Sequence, residues 1–76
     1  MEVQITLHGI LRDYLPRKVK GKTTLDLPSD TTIDDIVQQL KIKQNVSAAI
    51  NGNEVENNHI LQDGEELHLF RLIAGG

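Results

Sequence analysis

Few residues of this 76-residue chain are of the types that carry out catalysis. Ser29 and Ser47 stand outside a Gly-x-Ser-x-Gly setting, which argues against a serine hydrolase. The chain contains no cysteine, so it has no thiol nucleophile, disulfide or thiolate metal site. Its glycines are too scattered to form a loop that cradles a phosphate. The sequence therefore predicts a protein that is not itself an enzyme and binds no cofactor of its own.

The three histidines, His8, His59 and His68, are the remaining candidates for metal binding. No two of them have the i, i+4 spacing that places a pair of imidazoles on one helix face. His8 and His68 fall in different predicted strands, and their side chains would approach each other if those strands were neighbours. We expect no metal site and interpret the histidines as solvent-facing residues.

The segment with the clearest chemical potential is Ile73-Ala74-Gly75-Gly76, in which the side chains shrink towards the end. Glycine has no Cβ, so we expect residues 73–76 to form a flexible tail that can enter a narrow channel in another protein. The carboxylate of Gly76 would then reach that protein's active site. A frayed end without function is the alternative, because chain ends are often poorly ordered.

The residues that lead to this tail are apolar and alternate in type. If Leu67 and Leu69 face the core, Phe70 and Leu72 lie on the opposite side of the strand, because successive side chains point to opposite faces. An exposed apolar patch of this kind usually marks a protein partner. A bulge that buries Phe70 is the alternative.

Composition and charge limit the class of protein further. The chain is long enough for one small domain, residues 1–76, and aromatic residues make up only 3%, so the core must be aliphatic. The net charge of −3 argues against nucleic acid as a partner. No apolar run is long enough to span a bilayer, so we expect no membrane partner. The lack of cysteine fits a cytoplasmic protein.

Period-2 patterns and turn residues predict five strands around one main helix. Leu11, Tyr14 and Leu15 have helical spacing before Pro16, which predicts a short helix after the first strand. Basic residues cluster at 17–22, which we interpret as a solvated loop; a docking patch for an acidic partner is the alternative. Asn51-Gly52 predicts a tight reversal. The predicted strands are residues 2–8, 23–27, 46–50, 54–56 and 67–70.

The main helix has the strongest local signal. Thr32 can cap a helix, and Asp35 follows at the spacing of a capping box, so we expect the helix to start at Ile33. Its apolar positions form one stripe that faces the core, namely Ile33, Ile36, Val37 and Leu40. The fold class is α+β, a small mixed sheet covered on one face by this helix.

The whole chain resembles a ubiquitin-like β-grasp protein, in particular the small sulfur carriers of the MoaD/ThiS family. The segment Leu11-Arg12-Asp13-Tyr14-Leu15 is similar to the short helix of the molybdopterin branch. Residues 63–70 followed by Ile73-Ala74-Gly75-Gly76 resemble the tails of both branches. Arg71-Leu72 departs from the Pro-Pro of the molybdopterin branch and is closer to the thiazole branch, so the branch stays open.

The resemblance implies that Gly76 is the reactive position. A ubiquitin-activating-type adenylyltransferase would use ATP to adenylate the carboxylate, and a sulfur donor would convert it to a thiocarboxylate. A synthase would then accept the sulfur, either the molybdopterin synthase large subunit or thiazole synthase. The partner-binding residues implied in this way are Phe70, Leu72, Ile73, Ala74 and Gly75.

Two other functions are compatible with the same sequence. The chain could be a protein modifier that forms isopeptide bonds through Gly76, as in ubiquitin-like tagging. It could also be a β-grasp interaction module with an inert tail. The first alternative depends on Gly76, whereas the second does not.

Overall fold

The computed structural model describes residues 1–16 and 19–71, and within them the strands form one mixed β-sheet. The sheet order is β2-β1-β5-β3-β4, with β5 parallel to β1 and every other neighbouring pair antiparallel. The strands are β1 Glu2–Leu7, β2 Lys22–Asp26, β3 Val46–Ile50, β4 Asn53–Val55 and β5 Glu66–Arg71.

The parallel pair β1 and β5 lies at the centre of the sheet. Ile5 is opposite Leu67 and Leu7 is opposite Leu69, and all four side chains are buried. On each strand, the residue between the two buried ones therefore points to the opposite, outer face of the sheet, because side chains alternate along a strand. Because the strands are parallel, both end at the same edge of the sheet.

A short 3₁₀ helix, Gly9–Tyr14, follows β1. It confirms the predicted short helix but begins before the apolar stripe, at Gly9, whose φ of +60° turns the chain out of the strand. Leu11 is buried in the core, and Pro16 follows the end of the helix, as expected.

The main helix α1, Ile33–Gln39, starts where the capping residues predict. The Asp35 N–H donates to Thr32 Oγ1 at 3.2 Å, and the Thr32 N–H donates to Asp35 Oδ2 at 3.0 Å. This reciprocal pair satisfies two N–H groups that the first turn would otherwise leave free. Ile33 and Ile36 are fully buried, so the predicted apolar stripe does face the core.

Four of the five predicted strands differ from the observed ones by one residue at one end or at both ends, and only 46–50 has the predicted bounds. Asn51 and Gly52 have φ of +50° and +88° and form the predicted reversal, whose two-residue loop sets Ile50 opposite Asn53. β4 therefore starts at Asn53 and not at Glu54. In β2, Lys22 pairs with Thr6 and belongs to the strand, although the sequence placed it in a loop. Of the other basic residues in the predicted loop, Lys20 is exposed in the turn before β2, and Arg17 and Lys18 lie outside the described residues.

The buried cluster is aliphatic, as the composition predicted. It joins the inner faces of the sheet, the 3₁₀ helix, α1 and the loops around them. No helix in the described ranges is long and apolar enough to cross a bilayer. The buried apolar residues are Val3, Ile5, Leu7, Leu11, Leu27, Ile33, Ile36, Ile42, Val46, Ala48, Ile50, Leu61, Leu67 and Leu69.

Gly21 holds the turn before β2 against the end of β1. Its carbonyl accepts from the Leu7 N–H at 2.7 Å, and its φ is +79°. A Cβ at Gly21 would lie 2.9 Å from the Leu7 carbonyl oxygen. This is a backbone atom, so moving it would disturb the hydrogen bond between the Leu7 N–H and the Gly21 carbonyl. Gly64 has nearly the same φ, +83°, but a Cβ there would meet open space.

We therefore predict that Gly21→Ala destabilises the fold by roughly 3 kcal/mol, the left-handed backbone cost plus overpacking. Gly64→Ala should lose only about 1 kcal/mol, the backbone part alone. Urea unfolding of the two variants measures the difference. Equal losses would show that the close contact at Gly21 does not contribute.

The capping box gives a second stability prediction. Thr32→Ala removes the oxygen that accepts from Asp35, and should lower the free energy of unfolding by about 1 kcal/mol. Ser29→Ala, an exposed change in the preceding turn, is the matched control and should stay within about 0.5 kcal/mol of the parent. The same urea titration reports both values, and equal stabilities of the two variants would contradict the capping argument.

Candidate functional site

The candidate site lies on the outer face of the sheet, at the end where the central strands β1 and β5 both finish. Phe70 projects from β5 and is 41% exposed, whereas Leu69 before it is buried. The ladder to β3 is regular there, with Ser47 opposite Phe70 and Ala48 opposite Leu69. The exposure predicted for Phe70 is therefore confirmed, and the alternative of a bulge that buries it was wrong. The role of Phe70 in binding stays a prediction.

His8 follows β1 directly and stacks on the Phe70 ring. The ring centroids are 4.4 Å apart and the planes differ by 7°. The His8 backbone N–H donates to the Leu69 carbonyl at 3.1 Å, so the parallel ladder continues to the residue that carries the imidazole. Backbone pairing and ring stacking together hold His8 and Phe70 side by side.

His8 also contacts His68, because their strands are neighbours. The interpretation of these two histidines as solvent-facing was wrong, since both are only partly exposed. His8 Nε2 and His68 Nδ1 are 2.8 Å apart, and His68 Nε2 is 2.6 Å from Glu66 Oε1. An ionised carboxylate only accepts hydrogen bonds, so His68 donates through Nε2 and, when neutral, accepts at Nδ1. His8 must then donate through Nε2. The order of donation is His8 to His68 to Glu66.

The surroundings of His8 disfavour its charged form. Burial lowers the pKa of His8 below its usual 6.5, and the positive charges of His68, Lys22 and Arg12 lower it further. The neutral form of His8 is therefore favoured at neutral pH, as the order of donation above requires. Because the folded chain binds this proton less well than the unfolded chain does, His8 reduces stability as the pH falls below 6.5.

The described residues contain no group of three or more histidine, cysteine or acidic side chains that could hold a metal ion. His8 and His68 supply two nitrogens, but Glu66 accepts from the far side of the His68 ring. The arrangement is suited to binding and passing protons. It resembles a hydrogen-bonded relay more than a coordination sphere.

The remaining predicted site residues, Leu72, Ile73, Ala74, Gly75 and Gly76, lie outside the described residues. The residue before them, Arg71, still pairs with Val46 of β3. Because β5 is hydrogen-bonded to β1 on one side and β3 on the other, the chain enters the predicted tail from a strand fixed on both edges.

Sequence reasoning missed the contribution of Glu66 and of the His8–Phe70 stack. Both depend on the register that places Gln4 opposite Glu66 and Thr6 opposite His68. The signal that was available is the pattern of Glu66, His68 and Phe70 at every second position, which indicated a shared face.

Comparisons with known proteins agree with this fold. The family model of the ThiS family matches residues 6–76. The chain is similar to the Haloferax volcanii HVO 2177 protein, with 21% identity, a TM-score of 0.77, and coverage of 100% of this chain and 87% of that one. No curated protein matched the chain.

Two further solved structures share the architecture. Small archaeal modifier protein 1 of Haloferax volcanii has 16% identity and a TM-score of 0.72, with coverage of 95% of this chain and 98% of that one. A chain from the complex of subunits 1 and 2 of molybdopterin-converting factor of Helicobacter pylori has 20% identity, a TM-score of 0.62 and full coverage of both chains. At these identities the likeness shows the fold, and the predicted ubiquitin-like β-grasp is confirmed.

The family model extends over both the described fold and the Gly75-Gly76 tail. The chain therefore belongs to the ThiS family of ubiquitin-like sulfur carriers.

Proposed function

We propose that this chain is a cytoplasmic sulfur carrier whose Gly76 carboxylate is converted to a thiocarboxylate for cofactor biosynthesis. The observation that carries this proposal is the family match, which extends to residue 76 and so includes the Gly-Gly tail. The strand that precedes the tail supports it, since β5 lies at the centre of the sheet and carries the exposed Phe70. In this role the chain is a co-substrate and not an enzyme.

The chemistry needs an activated carboxylate, because a carboxylate is a poor electrophile. A carboxylate oxygen of Gly76 attacks the α-phosphorus of ATP and releases pyrophosphate, which leaves an acyl-adenylate. A sulfide-level donor, written here as hydrosulfide, then attacks the acyl carbon, and AMP departs with the oxygen that bonded to phosphorus. The product is a thiocarboxylate, and no residue of the described fold has to act as a base.

The partners follow from these two steps. A ubiquitin-activating-type adenylyltransferase provides the ATP site, so this chain needs no cofactor of its own. A sulfur-accepting synthase uses the thiocarboxylate, either the molybdopterin synthase large subunit or thiazole synthase. The similar Helicobacter pylori chain is in a complex of subunits 1 and 2 of molybdopterin-converting factor, which supports a synthase partner. The family match to ThiS supports the thiazole route.

A second function uses the same activated Gly76. The likeness to small archaeal modifier protein 1 favours a protein modifier that forms isopeptide bonds with lysines. The acyl-adenylate is common to both functions, and they differ in whether sulfur or an amine attacks it. Gel-shifted conjugates in cell extract that require Gly76 would identify the modifier, whereas thiocarboxylate formation without conjugates would identify the carrier.

We predict that incubation with the adenylyltransferase, ATP and a sulfur donor raises the mass of the chain by one oxygen-to-sulfur exchange. Intact-mass spectrometry measures this directly. A variant that lacks Gly76 still ends in a glycine carboxylate, at Gly75, so its expected loss of exchange would report the reach of the tail. An unchanged mass of the parent chain, with an adenylyltransferase shown to be active on another carrier, would contradict the proposal.

We also predict that Phe70 contributes to docking on the adenylyltransferase. Phe70→Ala should weaken binding by about 2 kcal/mol, or roughly thirtyfold, as for a buried aromatic anchor. Ile60→Ala is the matched control, because Ile60 is 48% exposed but lies in the loop that bridges to Thr32, away from the outer face. Calorimetric titration compares the two variants. Equal effects would mean that Phe70 is not a specific contact.

A further inference from the structure

The two imidazoles on the outer face share one proton along a straight contact. Their centroids are 5.1 Å apart, and His8 Nε2 and His68 Nδ1 are 2.8 Å apart. The centroid separation equals the nitrogen separation plus the two ring radii, so the nitrogens point directly at each other. A hydrogen between them completes the contact, whereas a metal ion would require both rings to turn.

The pair can hold only a limited number of protons. Its four ring nitrogens carry two protons when both rings are neutral and three when one ring is a cation. In either state one of the facing nitrogens can remain unprotonated and accept from the other. When both rings are cations, both facing nitrogens carry hydrogen, and the His8–His68 bond is lost. A second added proton therefore opens the pair.

Charged groups from several elements surround the pair. Glu66 of β5 is in direct contact with His68 and accepts its Nε2–H. Arg12 from the 3₁₀ helix and Lys22 from β2 act on His8 and disfavour a proton there. β3 contributes no titratable group to this face, where Ser47 and Ala49 are opposite Phe70 and His68. Glu54 of β4 contacts Ser47 at 3.3 Å.

A buried hydroxyl lies on the same face. Thr6 is opposite His68 in the parallel ladder and is only 6% exposed. Its Oγ1 has no hydrogen-bond partner among the described residues. A buried hydroxyl without a partner is unfavourable, and water can reach it only if its cover is displaced.

We propose that His8, held by His68 and Glu66, is a positioning residue that orients the Phe70 ring for docking and releases it when a second proton enters the histidine pair. The proposal rests on the proposed function for the identity of the docking partner. The relay itself is a property of the free chain. His8 is the link, because it both stacks on Phe70 and bonds to His68.

The consequence is docking that depends on pH. If the partner binds only the closed pair, each unit of pH below the second protonation step weakens binding about tenfold. Above that step binding is constant, because a single added proton leaves one bond between the facing nitrogens. The loss comes from the docking surface, while the core face stays folded.

Nuclear magnetic resonance on the free chain tests the relay without any partner. The ring ¹⁵N shifts should show both His8 and His68 protonated at Nε2 at neutral pH. As the pH falls, the pair should titrate in two separated steps, and the Phe70 ring resonances should shift with the second step only. Phe70 resonances that do not respond, or two histidines that titrate independently, would overturn the relay whether or not the chain carries sulfur.

Binding to the adenylyltransferase tests the effect on docking. His8→Phe keeps a flat ring to stack on Phe70 but cannot take up a proton, so its affinity should vary less than about twofold where that of the parent falls tenfold per pH unit. His59→Gln is the matched control, because His59 contacts Glu65 and not Phe70, and it should keep the parent's profile. Identical profiles for His8→Phe and His59→Gln would overturn the positioning role.

A further variant keeps the test independent of changes in folding at His8. Glu66→Gln still accepts the His68 hydrogen bond but removes the negative charge. The pH at which the Phe70 resonances respond should then change, because the charge next to the pair has been removed. An unchanged Phe70 response would show that Glu66 does not control the pair.

Discussion

The parallel pairing of β1 with β5 is the interaction on which the rest of this structure depends. It joins residues about 60 positions apart, places Leu67 and Leu69 in the centre of the core, and brings both strand ends to one edge of the sheet. Without this pairing, His8 and Phe70 would not lie next to each other. The pairing fixes one edge of β5 and β3 fixes the other, so the strand that precedes residues 72–76 is held on both sides.

Local features of the fold could be predicted because their causes lie within a few residues of each other. The capping box of Thr32 and Asp35 involves one turn of helix, and the reversal at Asn51-Gly52 depends on two residues with positive φ. The exposure of Phe70 followed from alternation alone. Each of these signals agrees with the global fold, which is the expectation for a sequence with little internal conflict.

The register between distant strands could not be predicted in this way. Lys22 belongs to a basic cluster that is typical of a loop, but it pairs with Thr6. The ladder between β1 and β2 continues until the turn at Gly21 ends it. Glu66 carries no sign in the sequence that it accepts from His68. Glu66 becomes part of the site only because β5 lies beside β1. In that arrangement His68, which donates to Glu66, also contacts His8.

The two faces of the sheet separate the tasks of folding and recognition. The inner face is aliphatic and holds the fold together, whereas the outer face at the end of β5 carries one exposed aromatic ring, two imidazoles and a carboxylate. Groups that titrate near neutral pH would be costly in the core, where a charge must be desolvated. On the outer face, a proton can enter or leave with little effect on the packing beneath. The outer face beside Phe70 can therefore respond to its surroundings while the inner face holds the fold together.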